Sequence, residues 1–72
     1  MSLYRAKFDG VSVFGTLDQV FPREDAPAGA TMLFLGEKWS PNDRATTFFY
    51  LRVLLPSGFV GWVFEQNIQE MT

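Results

Sequence analysis

The side chains able to do chemistry in this chain are few, and the missing ones decide as much as those present. There is no His and no Cys. Their absence removes two common acid–base and nucleophilic groups, and with them any disulfide and any Cys/His zinc site. Eight carboxylates remain, at Asp9, Asp18, Glu24, Asp25, Glu37, Asp43, Glu65 and Glu70. None has the spacing of a calcium cage, which needs about six to eight oxygen ligands. Glu24 and Asp25 form the only adjacent pair, in a Pro-flanked loop where such charges are ordinarily solvated. No glycine-rich loop leads into a helix to cradle phosphate, since Gly58 and Gly61 belong to a hairpin. The expectation is a protein that is not an enzyme, with no metal site and no cofactor.

Aromatic side chains are the better candidates. They make up 17% of the 72 residues, too many for so thin a core to hide. Those left outside would form an adhesive patch for another protein or peptide. Tyr50 and Phe48 lead, because Phe49, Leu51 and Val53 take the opposite, inward face of the same run. Trp39, beside a Pro-containing turn, is third. Trp62 and Val63 alternate to opposite faces, so one caps the core and the other sits at the rim.

These residues must be positioned by strands. Leu3–Phe8 alternates with period two, placing Tyr4, Ala6 and Phe8 on one side and Arg5 and Lys7 on the other. Asp9-Gly10 is a hairpin or tight-turn signal. A second run, Val11–Leu17, points Val11, Val13 and Leu17 inward, with Gly15 as a bulge position. Residues 18–29 read as a long loop, tacked down by Val20 and Phe21. Ala30–Lys38 is a third run, with Met32 and Phe34 on one face. Trp39 to Ala45 is a turn cluster. Thr46–Leu55 and Phe59–Phe64 are the fourth and fifth runs, joined by Pro56-Ser57-Gly58. Glu65–Ile68 suits a helical turn and Gln69–Met71 a last short strand. No stretch carries a clean helical period. The chain is expected to be all-β, a single domain over residues 1–72 built as a small five- to six-stranded barrel.

Composition narrows the partners. The net charge is −2 and the basic residues are scattered singly, which argues against nucleic acid. No apolar run approaches the ~20 residues of a membrane helix, and the first residues lack a signal-peptide pattern. A cytoplasmic protein with no membrane partner is expected.

Tyr50-Leu51-Arg52-Val53, the turn at Pro56-Ser57, and Gly58-Phe59-Val60-Gly61-Trp62-Val63 together resemble bacterial Src-homology-3-like domains. Those domains carry an aromatic-led strand, a short turn and the pattern G-x-x-G-W-V. Gly29–Leu35 is similar to their G-x-x-L-x-V-L strand, and Ala6-Lys7-Phe8-Asp9 to the A-L-Y-D opening of eukaryotic members. The resemblance implies an SH3-like barrel. It places Phe8 and Tyr50 at groove positions of the peptide-binding members and lets Glu24 or Asp25 supply their acidic loop partner. Phe64 and Asn67 stand where those members have Pro and Tyr. The leading expectation is a non-catalytic protein- or peptide-interaction module, a small subunit of a larger assembly. Its ligand-binding residues would be Phe8, Trp39, Phe48, Tyr50, Trp62, Glu24 and Asp25. The rivals are a bacterial cell-wall-binding module, a homo-oligomeric structural protein and a nucleic-acid-binding small barrel.

Overall fold

The structure is a computed structural model that describes residues 2–18, 21–40 and 48–71. Seven antiparallel strands form one sheet: β1 (Leu3–Ala6), β2 (Val11–Phe14), β3 (Glu24–Ala26), β4 (Thr31–Trp39), β5 (Tyr50–Leu54), β6 (Val60–Phe64) and β7 (Ile68–Glu70). A 3-10 turn, Glu65–Asn67, precedes β7. The strand order is β3-β2-β6-β5-β4-β1-β7, and the outermost strands, β3 and β7, do not pair, so the sheet curls without closing.

The hairpin β5–β6 forms as its turn residues require. Gly58 has φ +93°, a conformation that an L side chain resists. Its N–H donates to the Leu55 carbonyl at 2.9 Å, and the Leu55 N–H to that of Phe59 at 2.9 Å. From this turn the register runs in step from Leu54↔Val60 to Tyr50↔Phe64. Strand alternation then sends Leu51, Val53, Gly61 and Val63 inward, where all four are buried.

The core is one apolar cluster of Ala6, Val11, Val13, Ala26, Met32, Leu51, Val53, Leu55, Val63 and Ile68, and among the described residues no polar or charged residue is buried. Each fully buried Val or Leu contributes about 1.5–3 kcal/mol. Tyr4 and Phe34 pack edge-to-face at its margin, ring centres 5.9 Å apart.

Several expectations are corrected. The loop over residues 18–29 contains a seventh strand, β3, paired with β2 from Val11↔Ala26 to Val13↔Glu24. Phe21 is no anchor, being 79% exposed; buried Ala26 holds the loop instead. Val20 lies outside the described residues, as do Pro41–Ala45 of the turn cluster and Thr46 and Thr47 of the fourth run. Asp9-Gly10 makes a turn but no hairpin, because β1 pairs with β4 and β7 while β2 pairs with β3 and β6. The Asp9 carboxylate accepts the Ala28 N–H at 2.8 Å, and the Gly10 N–H donates to the Ala26 carbonyl at 3.0 Å. That turn therefore ties down the far end of the long loop. β2 ends at Phe14, leaving Gly15 outside it and Leu17 half-buried. The irregularity lies in β4, between Phe34 and Lys38, where Gly36 has φ +97°. Phe49 is half-buried rather than core, with the Lys38 ammonium 4.4 Å from its ring centre.

Gly61 is the tightest point of the sheet. A Cβ there would lie 2.6 Å from the Phe14 carbonyl oxygen, 2.8 Å from Phe59 Cε2 and 2.9 Å from Val13 Cγ1. Backbone cannot yield cheaply, so Gly61→Ala is expected to cost about 1–3 kcal/mol or more. That is a large share of the ~3–5 kcal/mol such a core supplies. Gly58→Ala has open space around it and should cost only about 1 kcal/mol, from backbone strain. Urea denaturation of the two variants measures the difference; equal midpoints would refute the close-approach account.

Burial, with Glu70 and then Glu65 nearby, raises the Tyr4 pKa above its ordinary 10.0. A folded-state pKa above the unfolded one means stability fully present below pH 10 and lost as pH rises through the raised value. Tyr4→Phe should therefore flatten the alkaline limb of a stability profile above pH 10. An unchanged limb would show that Tyr4 does not titrate in the folded state as described.

Candidate functional site

The strands that bury Leu51, Val53 and Val63 on one side must present Tyr50, Arg52, Trp62 and Phe64 on the other. Cross-strand register arranges these outer residues in rungs. Trp39 of β4 lies opposite Tyr50 of β5, and Tyr50 opposite Phe64 of β6. The Trp39 and Tyr50 ring centres are 6.1 Å apart, those of Tyr50 and Phe64 5.6 Å. Phe48 extends the row, packing edge-to-face on Phe64 at 5.3 Å. Four aromatic rings thus form one continuous row across three strands. Trp39 and Phe48, at its two ends, are 40% and 44% exposed, while Tyr50 and Phe64 are half-buried between them.

The next rung holds Phe14, Trp62 and Arg52, in register across β2, β6 and β5. Arg52 pairs with Glu37. Lys38 Nζ stands 3.6 Å from Glu65 Oε2. Among the described residues, these four charges beside the row are therefore matched within the protein. Exposed pairs like these add only about 0–1 kcal/mol to stability. Their effect here is to leave the row an apolar surface of little net charge. The Tyr50 hydroxyl has no hydrogen-bond partner among the described residues, so it can donate to or accept from a ligand laid across the rings.

The structure thus brings Trp39, Phe48 and Tyr50 together and adds Phe64, an aromatic residue not among the expected ligand-binding residues. The signal for Phe64 lies in the hairpin: Tyr50 and Phe64 are equidistant from Ser57, and that symmetry predicts their pairing. Trp62 shares the outer face but makes no ring contact among the described residues. Phe8 lies in the turn after β1, 47% exposed, and touches none of the four rings. The Lys7 N–H just before it donates to the Asn67 carbonyl at 3.0 Å, which sets the start of that turn beside the 3-10 turn. Glu24 and Asp25 stand apart from the row. Ser57, in the β5–β6 turn, donates to Glu24 Oε1 at 3.2 Å, and both residues line a separate groove with Leu55 and Pro56.

Among the described residues no group of three or more His, Cys, Asp or Glu is placed to hold a metal ion, and no helix is long and apolar enough to cross a membrane. Compared with models of protein families, with curated proteins and with solved structures, the chain gives no match.

Proposed function

We propose that this chain is a non-catalytic module that binds a protein or peptide segment on its outer aromatic row, in a cytoplasmic assembly of which it is a small subunit. The observation that carries the reading is the continuity of Trp39, Tyr50, Phe64 and Phe48, beside which Lys38 pairs with Glu65 and Arg52 with Glu37. A row of rings held in register loses little side-chain freedom on binding and offers large contact area. Aromatic residues of this kind carry most of the energy in protein interfaces. The strand order and the 3-10 turn before the last strand support a Src-homology-3-like barrel, left open between β3 and β7. In that reading Tyr50 keeps its groove role, and Phe64 takes the place of the family's proline as a ring surface.

The test begins with peptides selected from a random displayed library on the immobilised chain. Tyr50→Ala should retain the cooperative unfolding transition, because Tyr50 lies outside the buried core. It should weaken the selected peptides by about tenfold or more, the effect of losing roughly 1.4 kcal/mol. Peptides that bind the variant as well as the parent chain would remove the row from the function.

A second reading has an observation of its own. Leu3, Leu33, Leu54 and Val60 form another outer rung, in register across β1, β4, β5 and β6, and Leu3 and Val60 at its ends are exposed. An apolar strip of that kind suits self-association. Leu54→Lys should then abolish any concentration dependence of the sedimentation coefficient. A coefficient independent of concentration in the parent chain would dismiss self-association.

A further inference from the structure

The sheet leaves two strands at its margins, β3 and β7. β3 is guarded, with Pro22 just before it and Pro27 directly after it, and a proline has no N–H to give a ladder. β7 contains no proline. Its hydrogen bonds show which of its backbone groups are already taken. The Met71 N–H donates to the Leu3 carbonyl at 2.8 Å, and the Asn67 carbonyl accepts the Lys7 N–H at 3.0 Å. Backbone groups two residues apart on a strand point the same way. Asn67, Gln69 and Met71 therefore turn theirs to β1, while Ile68 and Glu70 turn theirs to the open edge. The Ile68 N–H donates to the Glu65 carbonyl. The Ile68 carbonyl and both backbone groups of Glu70 have no partner among the described residues. Such groups are a template for another strand.

A second, independent feature stands over this edge. Arg5 and Gln69 lie opposite each other on the outer face, and the Arg5 guanidinium reaches across to donate to Gln69 Oε1 at 3.3 Å. It thus lies over β7, and with Gln69, Glu70 and Met71 it borders a hollow of about 240 Å³. Its charge is not balanced, since the ion pairs among the described residues are Lys38–Glu65 and Arg52–Glu37. Glu70 belongs to the other face, opposite Tyr4, whose pKa its charge helps to raise. Leu3 and Met71, both exposed and joined by the ladder, put apolar surface beside the cation. A strand laid along β7 would turn alternate side chains to this face. The residue beside Met71 would meet apolar surface, and the residue beside Gln69 would meet the guanidinium. A second copy is the poorer occupant, because its own β7 would bring a second Arg5 to the same place.

We propose that the free edge of β7 takes up an extended peptide segment of a partner as an added antiparallel strand, with the pattern apolar–any–acidic. Its apolar side chain packs on Met71 and Leu3, its carboxylate meets Arg5, and its middle residue exchanges two backbone hydrogen bonds with Glu70. The site is separate from the aromatic row and does not depend on it.

The experiment titrates the full ¹⁵N-labelled chain with acetyl-Ser-Val-Thr-Glu-Val-Ser-amide. The amides of Gln69, Glu70 and Met71 should shift. Glutamine in place of the peptide's glutamate keeps the shape and loses the charge, and should weaken binding about threefold, the range an exposed charge pair supplies. Arg5→Gln, at an exposed position, should remove that difference. N-methylation of the peptide's threonine, the residue that faces Glu70, should abolish the shifts. Glu70→Pro removes an edge N–H that makes no bond to β1, so the variant should keep the amide spectrum of the fold and bind no peptide. Equal binding of the glutamine or the methylated peptide would overturn the proposal, as would shifts confined to other amides. The methylated peptide decides the matter even where Glu70→Pro fails to fold. Shifts at the same amides on diluting the chain alone would give the edge to a second copy instead. Tyr50→Ala should leave the titration unchanged. Loss of binding in that variant would put the peptide on the aromatic row, sinking the edge and sparing the row.

Discussion

Everything in this fold follows from the approach of β6 to β2 at Gly61. A chain of this size with no Cys, and so no disulfide, depends heavily on apolar burial to hold it. At Gly61 the space a methyl group would need is already filled by the Phe14 carbonyl oxygen, Phe59 and Val13. That closeness curls the sheet and brings Val13 and Val63 into register as fully buried neighbours. It also fixes the phase of β6. With Gly61 and Val63 inward, Trp62 and Phe64 have no alternative but the outer face.

The parts of the fold that were legible in the sequence are those set by local rules. The turn at Pro56-Ser57-Gly58, the alternation of Leu51 and Val53 and the role of Gly61 each depend on residues close in the chain, and each is found as read. The 3-10 turn and the strand after it were readable for the same reason. What failed was non-local. β3 is three residues long and has no alternating apolar pattern of its own; it is a strand because β2 offers it a ladder. Nothing in Asp9-Gly10 reveals that its flanking strands pair elsewhere. Phe21 is apolar, and only the fold shows that no surface lies beneath it.

The candidate site divides along the same line. Tyr50 and Phe48 could be placed on an outer face from alternation alone, and Phe64 could be paired with Tyr50 by reflecting the hairpin about Ser57. Trp39 could not be brought to them by counting. The register of β4 against β5 slips between Phe34 and Lys38, where Gly36 turns the strand. Without that irregularity the register would set Trp39 opposite Phe48, outside β5. The groove was hidden more deeply still, since its walls come from segments about thirty residues apart, and only the curl of the sheet brings them together.

The two surfaces differ in how they relate to stability, and this bears on how such a small domain can carry both. The aromatic rings are half-buried against one another, so the interactions that would bind a partner also contribute to folding. Cross-strand aromatic pairs add about 0.2–1 kcal/mol each, and enlarging the row therefore strengthens the sheet rather than weakening it. At the groove the Ser57 hydroxyl donates to Glu24 and so ties the hairpin to the long loop, while Asp25 is exposed. The row is thus where the contacts that stabilise the sheet coincide with the proposed binding surface.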